Sequence, residues 1–131
     1  MAKLTDEMKE LIANHQAFIA TASADGTPNI GPKRSTRVLD DEHLFFAEIT
    51  GKKTYENLKQ NPKVAVGVVD RDNSKGYRFV GTADVMESGP LYDKVKEGVL
   101  KMGFPGLKAA IKIHIDEIYN LGIPGAGSRI D

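Results

Sequence analysis

The chain has 131 residues, no cysteine, and 18 Lys+Arg against 18 Asp+Glu. That length fits one domain spanning residues 1–131, large enough to bury a core without disulfide or metal staples. Lack of cysteine excludes thiolate nucleophiles, disulfides and Cys-type zinc sites, and zero formal net charge excludes a global field that would gather nucleic acid. Leu4, Met8, Leu11, Ile12 and His15 recur at helical spacing, and Thr5-Asp6-Glu7 offers a cap and an acidic first turn, so a first helix is expected. The same segment is charged and has no apolar core of the signal-peptide kind. No run elsewhere approaches the roughly 20 apolar residues of a bilayer span. The expectation is a cytoplasmic protein with no membrane partner.

"AFIATAS" reads as a strand, and Asp25-Gly26 as a hairpin turn. The return strand is expected to run through "NIGPKRSTRVL", with Pro32 marking an edge, a bulge or an irregular start. "HLFFAE" is the third strand. A short helix follows, from Lys52-Lys53 through Tyr55 and Leu58 to a stop at Asn61-Pro62. "KVAVGVVD" reads as an interior strand. "YRFVGTADVMES" is the next, where Gly81 marks a bulge or a close backbone approach. Ser88-Gly89-Pro90 opens a third helix with Leu91, Val95, Val99 and Met102 as its inner stripe. "KAAIKIHIDEIYNL" alternates through Ile111, Ile113 and Ile115 as a half-buried strand, and the tail reads as loop. Six strands joined mostly by tight turns should pair antiparallel and close into a small barrel. The fold class is therefore mainly β, a β-barrel with flanking helices.

Two segments carry candidate chemistry. In "GKKTYENL" a helix opens with Lys52 and Lys53, against the positive end of its own dipole. Exposed backbone N–H groups, two cations and the Thr54 hydroxyl would suit a phosphate; a solvated surface helix is the plainer alternative. In "GPKRSTR", Lys33, Arg34 and Arg37 would suit an anion, or protect an exposed strand edge by charge. The glycines of the tail do not precede a helix, so no dinucleotide fingerprint is present. His15, His43 and His114 are widely spaced and show no metal-ligand pattern.

The order of these features resembles the pyridoxamine 5′-phosphate oxidase-like FMN-binding split-barrel family. The matching pieces are "AFIATASADGTPNIGPKR", "LFFAEITGKKTYENLKQNPKVAVGVV" and "YRFVGTADV". The resemblance implies a six-stranded antiparallel split barrel, a homodimer, and FMN at the dimer interface. It implies that Lys33, Arg34, Ser35 and Thr36 lie along the flavin, with Lys33 and Arg34 at the phosphate, ribityl chain or ring edge. Ala47, Glu48, Ile49 and Thr50 would line the isoalloxazine ring, and Lys52, Lys53 and Thr54 would hold the phosphate. The partner's carboxyl-terminal loop, around Tyr119, Asn120 or Pro124, would approach the ring. The tail has only Arg129 as a basic residue, so it lacks the basic segment with which true pyridoxamine phosphate oxidases bind substrate. Related families carry a deazaflavin or haem on the same barrel; "GKKT" favours a mononucleotide. The implied function is an FMN-dependent oxidoreductase acting on an unidentified small substrate, with NAD(P)H or a protein as electron donor. The alternatives are a non-catalytic FMN electron carrier or store, and a barrel that binds another anion.

Overall fold

Ten elements follow one another in the computed structural model, which describes residues 2–131. They are α1 (Asp6–Asn14), β1 (Ala17–Ala22), β2 (Pro28–Pro32), β3 (Arg37–Asp40), β4 (His43–Glu48), α2 (Lys53–Gln60), β5 (Lys63–Asp70), β6 (Lys75–Met86), α3 (Pro90–Lys101) and β7 (Ala109–Asn120). The strands form one sheet in the order β2-β1-β5-β6-β7-β4-β3, with every pairing antiparallel.

The expectation of six strands and a closed barrel is corrected on both counts. "NIGPKRSTRVL" is two strands, because the chain turns between Pro32 and Arg37. The Thr36 amide and hydroxyl both donate to the Lys33 carbonyl, at 3.1 and 2.7 Å. Those bonds draw the backbone out of either ladder. β2 and β3 then end up at opposite edges of a seven-stranded sheet. Five Cα steps link them, a reach of at most about 18 Å. The sheet must therefore curl until its edges nearly meet, and the turn lies between the edges and keeps them from pairing.

The concave face holds the core. Ile19, Phe46, Val66, Phe79, Ile111 and Ile113 have no solvent exposure. α1 adds Met8, Leu11 and Ile12 to this cluster, and α2 adds Leu58. α3 packs apart from it, with Val95 and Val99 against Ala47, Leu107 and Ala110. Met102, expected on the inner stripe of α3, is 72% exposed, because the helix ends at Lys101 and Met102 is only its cap. At Gly81 the β6–β7 register shifts, and a Cβ there would stand 2.3 Å from the His114 carbonyl oxygen. Both readings of that glycine therefore hold. Among the described residues no helix is long and apolar enough to cross a membrane.

Candidate functional site

The four residues between β2 and β3 form a strap over the split in the sheet. At one end the Lys33 amide donates to the Ala17 carbonyl of β1, at 3.1 Å. In the middle Ser35 Oγ accepts from the Ala47 amide of β4, at 2.9 Å. Arg37 Nη1 donates to the carbonyls of Arg34 and Thr36, at 2.8 and 2.9 Å, which fixes the turn and leaves the Arg34 side chain exposed. Thr36 is 2% exposed beneath it.

A cleft of about 230 Å³ opens beside the strap. Lys33, Arg34, Ser35 and Arg37 form one wall. The end of β4 and the loop after it supply Ala47, Glu48, Ile49 and Thr50. The end of α3 supplies an apolar lip, Val99, Met102 and Phe104. Cations thus face an apolar surface across the opening, a pattern suited to a ring that carries a polar edge.

Glu48 lies in this cleft at 1% exposure. Its Oε2 accepts from the Gly51 amide at 3.2 Å and from the Thr50 hydroxyl at 3.5 Å. Its Oε1 stands 3.0 Å from Lys33 Nζ, yet accepts no aligned hydrogen bond. The contact is therefore an ion pair held by charge, with the oxygen's lone pairs not fully used. Lys33 Nζ also lies 5.8 Å from the centre of the Phe46 ring.

Gly51, at φ +68°, turns the chain from the cleft into α2, and a side chain there would press on Lys108. The start of α2 differs from that of α1. Thr5 and Met8 form a reciprocal cap on α1, whereas Lys52 caps α2 with no side-chain bond. The first N–H groups of α2 are left without a side-chain acceptor beside exposed Lys52 and Lys53. Thr54 faces inward, and its hydroxyl accepts from Asn29 Nδ2 at 3.3 Å. Asn57 Nδ2 donates to Thr21 Oγ at 3.1 Å, and the Tyr55 hydroxyl donates to Glu87 at 3.0 Å, so α2 is anchored to the end of β1 and to the residue that follows β6. Three Cα steps link Thr50, at the cleft, to Lys53, a reach of at most about 10 Å.

Of the residues singled out in the sequence, Lys33, Arg34, Ser35, Ala47, Glu48, Ile49 and Thr50 meet around the cleft. Thr36 lies beneath the strap, and Lys52, Lys53 and Thr54 stand at the α2 start. The Lys53 side chain flanks a separate shallow groove with Ser23, Asp25 and Gln60. The tail folds at the far end of β7, where Asn120 Nδ2 donates to the Pro124 carbonyl at 3.0 Å. It does not reach the cleft of its own chain. Sequence reasoning missed the Lys33–Glu48 pairing and the lip of Met102 and Phe104. No local pattern announces contacts between segments so far apart in the chain. His43 and His114 are cross-strand partners with ring centres 5.1 Å apart, a proximity their spacing hid, but they lie outside the cleft.

The family described as pyridoxamine 5′-phosphate oxidase matches residues 4–122. An uncharacterized protein of Methanocaldococcus jannaschii is 41% identical, over 99% of this chain and 89% of its own. HupZ of Group A Streptococcus is 42% identical with a TM-score of 0.88, covering 95% of this chain and 98% of its own. A putative pyridoxamine 5′-phosphate oxidase of Lactobacillus delbrueckii is 36% identical with a TM-score of 0.79, covering 91% and 95%. An FMN-binding protein of Syntrophomonas wolfei is similar at 25% identity and TM-score 0.75, covering 88% and 84%. HutZ of Vibrio cholerae, a heme storage protein, shares the fold at 19% identity and TM-score 0.69, covering 89% and 94%. With its curled antiparallel sheet, flanking helices and family match over nearly its whole length, the chain belongs to the pyridoxamine 5′-phosphate oxidase family.

Proposed function

We propose that the chain is an FMN-binding flavoprotein that passes electrons or hydride to a small substrate, with FMN seated between two copies of the chain. The observation that carries this reading is the short path from the cleft, through Thr50 and Gly51, to an uncapped helix start flanked by Lys52 and Lys53. A mononucleotide has matching parts. A flat ring fits between the strap and the apolar lip, and a phosphate at the α2 start would meet N–H donors, the helix dipole and two cations. Bound FMN supplies the redox chemistry. The chain's residues orient the ring, screen it from water on the Met102 and Phe104 side, and fix the phosphate.

The second copy has support in size and surface. The cleft's 230 Å³ falls below the roughly 300–1,000 Å³ of pockets that enclose such ligands. Beside the strap, Phe18, Ile30 and Val69 are 45%, 69% and 51% exposed. The pairings Phe18↔Gly67, Ala20↔Ile30 and Phe18↔Pro32 put them on one face of β1, β2 and β5. A second copy covering this apolar face would bring another wall to the ligand.

The deciding measurement is the visible spectrum of the purified protein before and after FMN is added. Flavin absorbance that stays with the protein through gel filtration supports the reading. A colourless protein with no FMN affinity overturns it, and a haem Soret band in its place favours a haem-binding role like that named for HutZ. Anaerobic mixing with NADH or NADPH then separates oxidoreductase from electron carrier: rapid bleaching marks the former, and bleaching only by a strong chemical reductant marks the latter.

A further inference from the structure

The cations around the site are not equivalent. Among the described residues, Arg34, Arg37, Lys52 and Lys53 have no carboxylate within ion-pair distance, whereas Lys33 is paired with Glu48 at 3.0 Å. Glu48 is 1% exposed and the Lys33 side chain 20%. The pair therefore presents a buried dipole to the cleft, not a free positive charge. A ligand phosphate placed at Lys33 would also meet the Glu48 carboxylate in a site poor in water, where like charges repel strongly.

Each partner keeps unused hydrogen-bonding capacity. Glu48 Oε1 accepts no aligned bond, although it is fully buried. The Lys33 ammonium has three N–H donors, and only one can point at Glu48. A donor and an acceptor side by side complement an uncharged edge that carries C=O next to N–H, the lactam pattern of a pyrimidine-like ring. The acceptor has no partner on a fully ionised phosphate, which offers only acceptors of its own.

We propose that the Lys33–Glu48 pair is a specificity element for the uncharged lactam edge of the ligand's ring, and that the ligand's anionic group is held by other cations. This rests on the FMN reading and narrows the place of Lys33 within it to the ring edge. Glu48 acts in two ways: it offers Oε1 to the ring N–H and cancels the charge that Lys33 would otherwise place beside the ring.

The test compares FMN with riboflavin, which has the same ring and no phosphate. The double variant K33M/E48Q removes both charges and leaves neither buried alone. It should weaken FMN and riboflavin by the same factor, about tenfold for the loss of one well-made hydrogen bond. A variant that loses FMN and keeps riboflavin would place the phosphate at Lys33 and overturn the proposal. The single variant E48Q gives a second readout. It leaves the Lys33 charge uncompensated at the ring, so the midpoint potential of bound FMN should rise, because positive charge favours the reduced ring. An unchanged potential also overturns the proposal. Thermal melts of the ligand-free variants report folding. Wild-type protein that binds no FMN would defeat the functional reading itself, a different outcome from FMN binding with the wrong selectivity.

Discussion

Gly81 is the glycine with the least room for a side chain. A methyl group there would sit 2.3 Å from the His114 carbonyl oxygen and 2.8 Å from Ile113 Cγ2. The obstacle is the β7 backbone, which cannot rotate away as a side chain would. Gly81→Ala should therefore destabilise the protein by about 3 kcal/mol, the upper range for overpacking, measured by urea unfolding. Asp25 is a different case, set chiefly by hydrogen bonds. The Ser23 hydroxyl, then the Thr27 hydroxyl and amide, hold its carboxyl down at about 2. A depressed carboxyl stabilises the fold above its ordinary value near 4, and that contribution is lost as pH falls through about 2. NMR titration should find the Asp25 midpoint near 2 in the wild type and higher in Ser23→Ala. The stability gap between the two proteins should shrink as the pH falls from about 4 to about 2.

At the scale of elements, α1 and α2 show what a cap reveals. α1 satisfies its first N–H groups within the chain, by Thr5 and Met8. α2 does not, and places Lys52 and Lys53 where an acidic residue would ordinarily stand. A phosphate there converts an unfavourable pair of charges into a favourable one. Lys53→Glu should thus lower FMN affinity at least about tenfold, by adding repulsion where an attraction stood, and leave riboflavin unchanged. Fluorescence titration of both ligands measures this; equal loss of both would remove the phosphate from α2. The Lys53 side chain flanks the groove beside Asp25 in the ligand-free form, so a bound phosphate would draw it around the helix start.

At the scale of the whole molecule, the strap decides the shape. It joins two opposite sheet edges with four residues and leaves a split that neither edge can fill. Ile30, at 69% exposure, lies on the apolar face beside that split. If the proposed second copy covers this face, Ile30→Asp sets a charge in that contact, so sedimentation velocity should show a shift toward monomer, with FMN affinity falling in parallel. A variant that stays dimeric with full affinity would move the interface elsewhere.

What the sequence by itself determined is local. The α1 cap, the Asp25-Gly26 turn, the α2 limits, the alternation of Ile111, Ile113 and Ile115 and the special place of Gly81 all follow from residues within one element and its neighbours. The same locality made "GKKT" readable as a candidate anion site. The turn at Lys33–Thr36 escaped, because Ser, Thr, Lys and Arg there suit an edge strand as well as a bend; which one forms depends on the carbonyl of Lys33 and on the Ala47 amide across the split. The Lys33–Glu48 pair and the Met102–Phe104 lip were decided only by tertiary structure. A charge carries no mark of its partner along the chain, and an apolar residue at a helix end reads as core until the helix stops. Burial and pairing are properties of the curled sheet, and the curl is set by a strap whose two ends belong to opposite edges.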